Sequence, residues 1–118
     1  MERKEKIKKR EIRKKRKREK KMGTKVRPRL SLYKSRKHIY CQLIDDQEHK
    51  TLLSASDFEL KKEEKMKRTK LAFLLGLLIA QKAKERGIKK IVFDKSGYKY
   101  HGILLQLAKG AREGGLVF

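Results

Sequence analysis

The feature that most constrains the fold is the concentration of positive charge at the start of the chain. Of the 36 Lys and Arg residues, 17 fall within the first 29 positions, which contain four Glu and no Asp. Residues 1–28 contain only five apolar side chains and no helical stripe, so this segment cannot bury a core of its own. We therefore predict a basic tail over residues 1–28, disordered in the free protein, and one folded domain over residues 29–118.

The total charge indicates what kind of partner the chain binds. The formal net charge is +22 at pH 7, and a compact protein of this charge repels itself unless a polyanion neutralises it. Nucleic acid is the expected polyanion, because each neutralised phosphate releases condensed counterions and supplies affinity without reading sequence. A solvated tail or a localisation signal is the alternative interpretation of the same charge run. The tail residues predicted to bind phosphate are Arg10, Arg13, Lys14, Lys15, Arg16, Lys17 and Arg18.

After the tail, apolar residues recur at every second position. This period predicts strands over residues 29–34, 38–44 and 51–56, joined by polar turns over residues 34–37 and 45–50. Three strands with short connections form an antiparallel meander.

The period then changes to that of a helix. Leucines spaced i, i+3, i+4 and i+7 from Leu71 to Leu78 predict a helix that begins between residues 63 and 67 and ends at Gly87. The run over residues 88–93 predicts a fourth strand, and a second apolar stripe predicts a second helix. The order β-β-β-α-β-α predicts an α/β domain with a mixed sheet and helices packed on it. The core positions predicted for the second helix are Leu104, Leu107, Ala108 and Ala111.

The first two strands carry a second face that differs in chemistry from the core. If the apolar residues face inward, rings and hydrogen-bonding groups share the outer face. Unpaired RNA bases stack on such rings, and 2′-hydroxyls and base edges bond such polar groups. An ordinary solvent-exposed face with two tyrosines explains the same pattern, and only the basic surroundings favour RNA. The outward residues are Ser31, Tyr33, His38, Tyr40 and Gln42, flanked by Arg27, Arg29, Arg36 and Lys37.

The predicted loop over residues 94–102 mixes aromatic and basic residues between the fourth strand and the second helix. Glycines near both ends permit tight turns, and a loop that ends at a helix N-terminus presents backbone N–H groups to phosphate. A structural loop with its tyrosines packed on the domain is the alternative.

Enzymatic and metal-binding interpretations are weak. Asp94 and His101 could form an acid–base pair, but no nucleophile with a base accompanies them, so we predict no catalytic site. Cys41 and His38 lack two further metal ligands, and Cys41 falls on the apolar face, where a buried thiol is expected. No cofactor, metal or small-molecule substrate is predicted. The longest apolar run, residues 71–80, is too short to span a bilayer.

Several motifs, in order and at familiar spacing, identify a family that the chain resembles. They are GTKVRPRLSLYKSRKHIYCQLIDD over residues 23–46, TLLSAS over 51–56, GIKKIVFDKSGYKYHG over 87–102 and LAKGAREGGLVF over 107–118. The sequence closely resembles the bacterial-type large-subunit ribosomal protein L18 family. The resemblance implies a non-enzymatic α/β protein that binds 5S rRNA and helps attach it to large-subunit rRNA in the central protuberance. Its other expected partners are neighbouring large-subunit proteins, on a cytoplasmic or organellar ribosome, with no membrane.

The resemblance also assigns the RNA-binding residues. The family uses its tail, its hairpin and the YKYHG loop at the 5S rRNA interface. In this chain Lys95 stands where the family usually has Arg, so the charge is kept while the planar two-pronged donor is lost. The hairpin and loop residues carried over from the family are Arg27, Arg29, Ser31, Ser35, His38, Tyr40, Gln42, Gly97, Tyr98, Lys99, Tyr100, His101 and Gly102. Three cations beside them, Arg36, Lys37 and Lys95, complete the predicted RNA contacts.

Two other classes of function compete with this interpretation. A histone-like condensing protein would share the charge without needing the tyrosine-bearing hairpin. An RNA-processing enzyme on a small α/β scaffold would require turnover that depends on Asp94.

Overall fold

The computed structural model describes residues 22–60, 66–95 and 102–118. The predicted phosphate-binding residues of the tail, Arg10 to Arg18, lie outside the described residues. So do five of the six YKYHG-loop residues assigned by the resemblance, which are Gly97, Tyr98, Lys99, Tyr100 and His101.

The described strands form one mixed sheet. β1 (Arg29–Lys34), β2 (Ile39–Asp45) and β3 (Lys50–Ser56) form the predicted antiparallel meander. β4 (Val92–Asp94) lies parallel to β1, so the order across the sheet is β3-β2-β1-β4. β1 and β2 therefore occupy its centre.

Two helices complete the fold and confirm the predicted α/β class and order. α1 (Arg68–Glu85) begins one residue after the predicted range and is followed by Gly87, as expected. α2 (Ile103–Glu113) follows β4. A short 3₁₀ helix (Asp57–Glu59) after β3 was not predicted. No helix in the described part of the chain is long and apolar enough to cross a bilayer.

The core forms where the inner face of the sheet meets both helices. The inward-facing residues predicted on β1 and β2 are all buried, and burial raises the pKa of the Cys41 thiol to about 12. Cys41 is thus the inert buried thiol expected from the sequence. All four positions predicted for the second helix are buried too.

The buried face of α1 differs from the predicted leucine stripe. Leu74 and Leu78 are only partly buried, whereas small residues such as Ala72 and Gly76 are fully covered. The reason is the close crossing of the two helices, at which a Cβ on Gly76 would collide with the Leu107 carbonyl.

The packed region begins upstream of β1. Gly23 is buried, its N–H donates to Oδ2 of Asp46 at 2.6 Å, and its carbonyl accepts from the Asp46 N–H at 2.9 Å. Pro28 is fully buried, and its carbonyl accepts from the Val92 N–H at 2.9 Å. Gly23 and Pro28, grouped with the tail in the sequence-based division, therefore belong to the packed region, while Lys25, Val26 and Arg27 between them are exposed.

Candidate nucleic-acid interface

Two tyrosines form the centre of the outer sheet face. Tyr33 on β1 and Tyr40 on β2 are direct cross-strand partners. Their rings stack with centroids 4.9 Å apart and an interplanar angle of 15°. They remain 36% and 43% exposed, which leaves ring surface open to a planar ligand. The alternation predicted from the sequence places both rings correctly.

The turn between these strands is held by hydrogen bonds and carries two cations. The Ser35 N–H donates to the His38 carbonyl at 2.8 Å, and the His38 N–H donates to Ser35 Oγ at 3.2 Å. Arg68, the first residue of α1, donates to the Ser35 carbonyl at 2.6 Å and so ties the turn to the helix. Arg36 and Lys37, at the tip, are exposed. The geometry places positive charge next to the tyrosine pair without using it for folding.

His38 is fixed by contacts that the sequence did not reveal. Its Nδ1 lies 3.2 Å from Oδ2 of Asp57, a carboxylate with no exposed surface, while the imidazole itself is partly exposed. Its ring also stacks on that of Phe58, with centroids 4.2 Å apart. The pattern of Ser56 followed three residues later by Glu59 is a capping-box signature and could have revealed the turn that carries both new residues.

Arg29, for which an RNA contact is predicted, also bonds two carboxylates of the fold. Its Nε and Nη2 lie 3.0 and 3.1 Å from the two carboxylate oxygens of Asp46, and its Nη1 lies 2.7 Å from Oδ2 of Asp94. The hydrogen bond to Asp46 is the main cause that raises the pKa of Arg29, and the same bond holds the pKa of Asp46 below its usual value. The guanidinium of Arg29 therefore links Asp46, which is bonded to Gly23 at the start of the packed region, to Asp94 at the end of β4.

Ser31 departs from the prediction, because it is only 2% exposed. β1 lies between β2 and β4, so the cross-strand partners of Ser31 are Gln42 and Asp94. The side chains of both partners are longer than that of Ser31. Because Ser31 lies between them on a central strand, they cover it. Gln42, the next predicted residue on this face, keeps part of its surface exposed.

The remaining predicted residues that the structure describes, Arg27, Lys95 and Gly102, lie outside the strands. Arg27 and Lys95 are exposed, and Arg27 Nε donates to the Ile91 carbonyl at a long 3.4 Å. Gly102 caps the N-terminus of α2 with φ of +60°, a conformation that favours glycine, and its carbonyl accepts from the Gln106 N–H. The suggested acid–base pair gains no support, because Asp94 binds Arg29 and His101 lies outside the described residues.

Among the described residues, no group of three or more His, Cys, Asp or Glu side chains could hold a metal ion. The chemistry of this surface is suited to binding RNA. Exposed rings can stack on bases, an amide and an imidazole can form hydrogen bonds, and cations can bind phosphate.

Comparisons with known proteins agree on one family. A family model described as ribosomal L18 of archaea, bacteria, mitochondria and chloroplasts matches residues 2–118. A large ribosomal subunit protein uL18 from Clostridium botulinum (strain Langeland) is 54% identical over 101 residues, covering 86% of this chain and 85% of the relative. The protein of the same name from Thermotoga petrophila is 52% identical over 104 residues, covering 86% and 85%. That from Petrotoga mobilis is 54% identical over 99 residues, covering 81% of each.

Proposed function

We propose that this chain, which belongs to the ribosomal L18 family, binds 5S rRNA and helps attach it to large-subunit rRNA in the central protuberance. The resemblance seen in the sequence is confirmed, and the protein is a non-enzymatic component of the large ribosomal subunit. Its bacterial relatives support a place on the cytoplasmic ribosome.

The observation that carries the proposal is the stacked Tyr33–Tyr40 pair on the outer face of the sheet. Stacking on exposed rings contributes roughly 1–3 kcal/mol per base, whichever base is present. Arg36 and Lys37 at the adjacent turn supply charge for the phosphates that flank a stacked base. A condensing protein would need the charge alone, so the ring pair favours folded RNA as the ligand.

In the proposed mechanism, the tail supplies most of the affinity, and the hairpin and the loop supply recognition. The tail residues Arg10 to Arg18 neutralise phosphates, and six to ten such contacts would weaken binding roughly 10³- to 10⁵-fold between 50 and 200 mM salt. The hairpin and the loop from Gly97 to Gly102 supply contacts to unpaired bases and 2′-hydroxyls. These polar and stacking contacts distinguish a folded transcript from a duplex.

Competition binding tests the proposal. Labelled 5S rRNA is titrated with the full chain at physiological salt and then challenged with unlabelled duplex DNA of equal length. We expect the duplex to compete on the order of 10³-fold more weakly than unlabelled 5S rRNA, a gap typical of specific over non-specific complexes. Equal competition by the two would instead identify a general condensing protein. Magnesium-dependent cleavage of the RNA during the titration would favour the enzymatic alternative.

A further inference from the structure

Phe58 is an exposed aromatic side chain that is not among the predicted RNA contacts. It lies on the 3₁₀ helix directly after β3 and is 73% exposed. Single exposed apolar residues are common and need no explanation by themselves. What distinguishes this one is the number of contacts that fix the backbone and the neighbouring ring.

The turn that carries Phe58 is pinned by a capping box. Ser56 Oγ accepts from the Phe58 N–H at 3.1 Å, and the Ser56 N–H donates to Glu59 Oε2 at 2.8 Å. The other Glu59 oxygen pairs with Lys82 of α1, and that hydrogen bond is the main cause that lowers the pKa of Glu59. Since β3 and α1 both hold the turn, the position of Phe58 is set before any ligand binds.

The ring of His38 supports that of Phe58. The two stack with centroids 4.2 Å apart and an interplanar angle of 30°. His38 is in turn held by the buried Asp57 carboxylate, and its carbonyl is bonded within the turn tied to Arg68. The result is a second supported ring pair, built like the tyrosine pair but from residues farther apart in sequence.

This second pair continues the first along the same end of the sheet. Tyr40 and Ser56 are cross-strand partners, with His38 two residues before one and Phe58 two residues after the other. The tyrosine pair therefore lies at this cross-strand position, and the His38–Phe58 pair lies beyond it, on the side of the turn that carries the exposed Arg36 and Lys37. Cations beside exposed rings are suited to an unpaired nucleotide, which presents a planar base and a phosphate together.

We propose that Phe58 and His38 form a second base-stacking platform, which accepts an unpaired base of the RNA bound by the tyrosine pair. This inference rests on the proposed function and names Phe58 as an RNA contact. A rigid platform binds with a smaller entropic cost than a mobile ring, which accounts for the capping box and the buried carboxylate beneath it.

The affinity test uses Phe58→Ala with Val117→Ala as the matched control. Val117 is another exposed apolar side chain, near the C-terminus and away from the hairpin. We expect Phe58→Ala to weaken 5S rRNA binding roughly 5- to 150-fold, as loss of one stacked base would. Its dependence on salt should match that of wild type, because no phosphate contact is lost. Val117→Ala should bind as wild type does, and circular dichroism should show both variants folded.

A fluorescence test detects the stacking itself. The chain contains no tryptophan, so Phe58→Trp introduces a single reporter at the platform. Binding of 5S rRNA should quench its emission, whereas the emission of Val117→Trp should stay unchanged.

The outcomes separate this inference from the function on which it rests. Wild-type affinity for Phe58→Ala, together with unquenched Phe58→Trp in a complex that does form, would overturn the platform and leave 5S rRNA binding intact. Failure of the wild-type chain to bind 5S rRNA would overturn both. A steeper or flatter salt dependence in Phe58→Ala would also count against stacking.

Discussion

At the scale of single residues, the pairing of Arg29 with Asp46 makes part of the stability of the fold depend on pH. Asp46 accepts two hydrogen bonds from Arg29 and one from the Gly23 N–H. Its pKa is therefore lower in the folded protein than in the unfolded chain. A carboxyl group whose pKa is lowered by folding stabilises the protein at pH values above its pKa in the unfolded chain, which is about 4. This contribution is lost as the pH falls through the pKa of the group in the folded protein.

We predict that Asp46→Asn lowers the free energy of unfolding at neutral pH by about 1–3 kcal/mol, the cost of weakening hydrogen bonds to a charged group. The difference from wild type should shrink as the pH falls from about 4 through the lower pKa of Asp46 in the folded protein. Urea denaturation over a series of pH values measures this. Glu48→Gln, on the same turn and exposed, should change little at any pH. If the difference in the free energy of unfolding between wild type and Asp46→Asn did not change with pH, the pairing of Asp46 with Arg29 would not be the source of the pH dependence.

Arg29 and Ser31 also show what alternation cannot reveal about individual side chains. Alternation correctly gives the strand face on which a residue lies, as Tyr33 and Tyr40 show. It gives no information on partners from distant segments, and the carboxylates that engage Arg29 lie 17 and 65 residues away. Phe58 was missed for a related reason, because the role proposed for it depends on the ring of His38, in the turn before β2.

At the scale of elements, α1 and α2 cross with their backbones in close contact. A Cβ on Gly110 would collide with the Phe73 carbonyl of α1, and one on Gly76 would collide with the Leu107 carbonyl of α2. Both obstacles are backbone atoms, which cannot move aside as the end of a side chain can. The helices must separate to accept even one methyl group.

We predict that Gly110→Ala destabilises the protein by about 1–3 kcal/mol through overpacking. Alanine favours an isolated helix over glycine by roughly 1 kcal/mol, so a net loss would show that the collision dominates. Thermal unfolding followed by circular dichroism measures the change. Gln81→Ala, on the exposed side of α1, is the control and should leave stability within about 0.5 kcal/mol of wild type. Unchanged or increased stability of Gly110→Ala would refute the close crossing.

The same crossing explains an error in the predicted helix face. The leucine stripe correctly located α1, but Leu74 and Leu78 are only partly buried. Periodicity gives weight to large apolar residues, whereas a close helix crossing buries small ones such as Gly76. The position of a second helix is needed to tell which side of α1 is covered.

At the scale of the whole molecule, the fold divides its two faces between stability and binding. One face of the sheet shares its core with both helices, while the other presents the tyrosine pair and the basic turn. Two strong periods in the sequence were sufficient to predict the class and order of elements. They left open that β4 lies parallel beside β1, which places Asp94 next to Arg29 and makes β1 a central strand.

For the molecule as a whole, we propose that RNA binds the outer sheet face, through rings and cations that the fold does not need for its core. Ultraviolet crosslinking of the full chain to 5S rRNA, followed by mass spectrometry of the peptides, tests this most directly. We predict crosslinks on peptides that contain Tyr33, Tyr40 and Phe58. Crosslinks confined to the exposed surfaces of α1 and α2, with none on those three peptides, would contradict the claim.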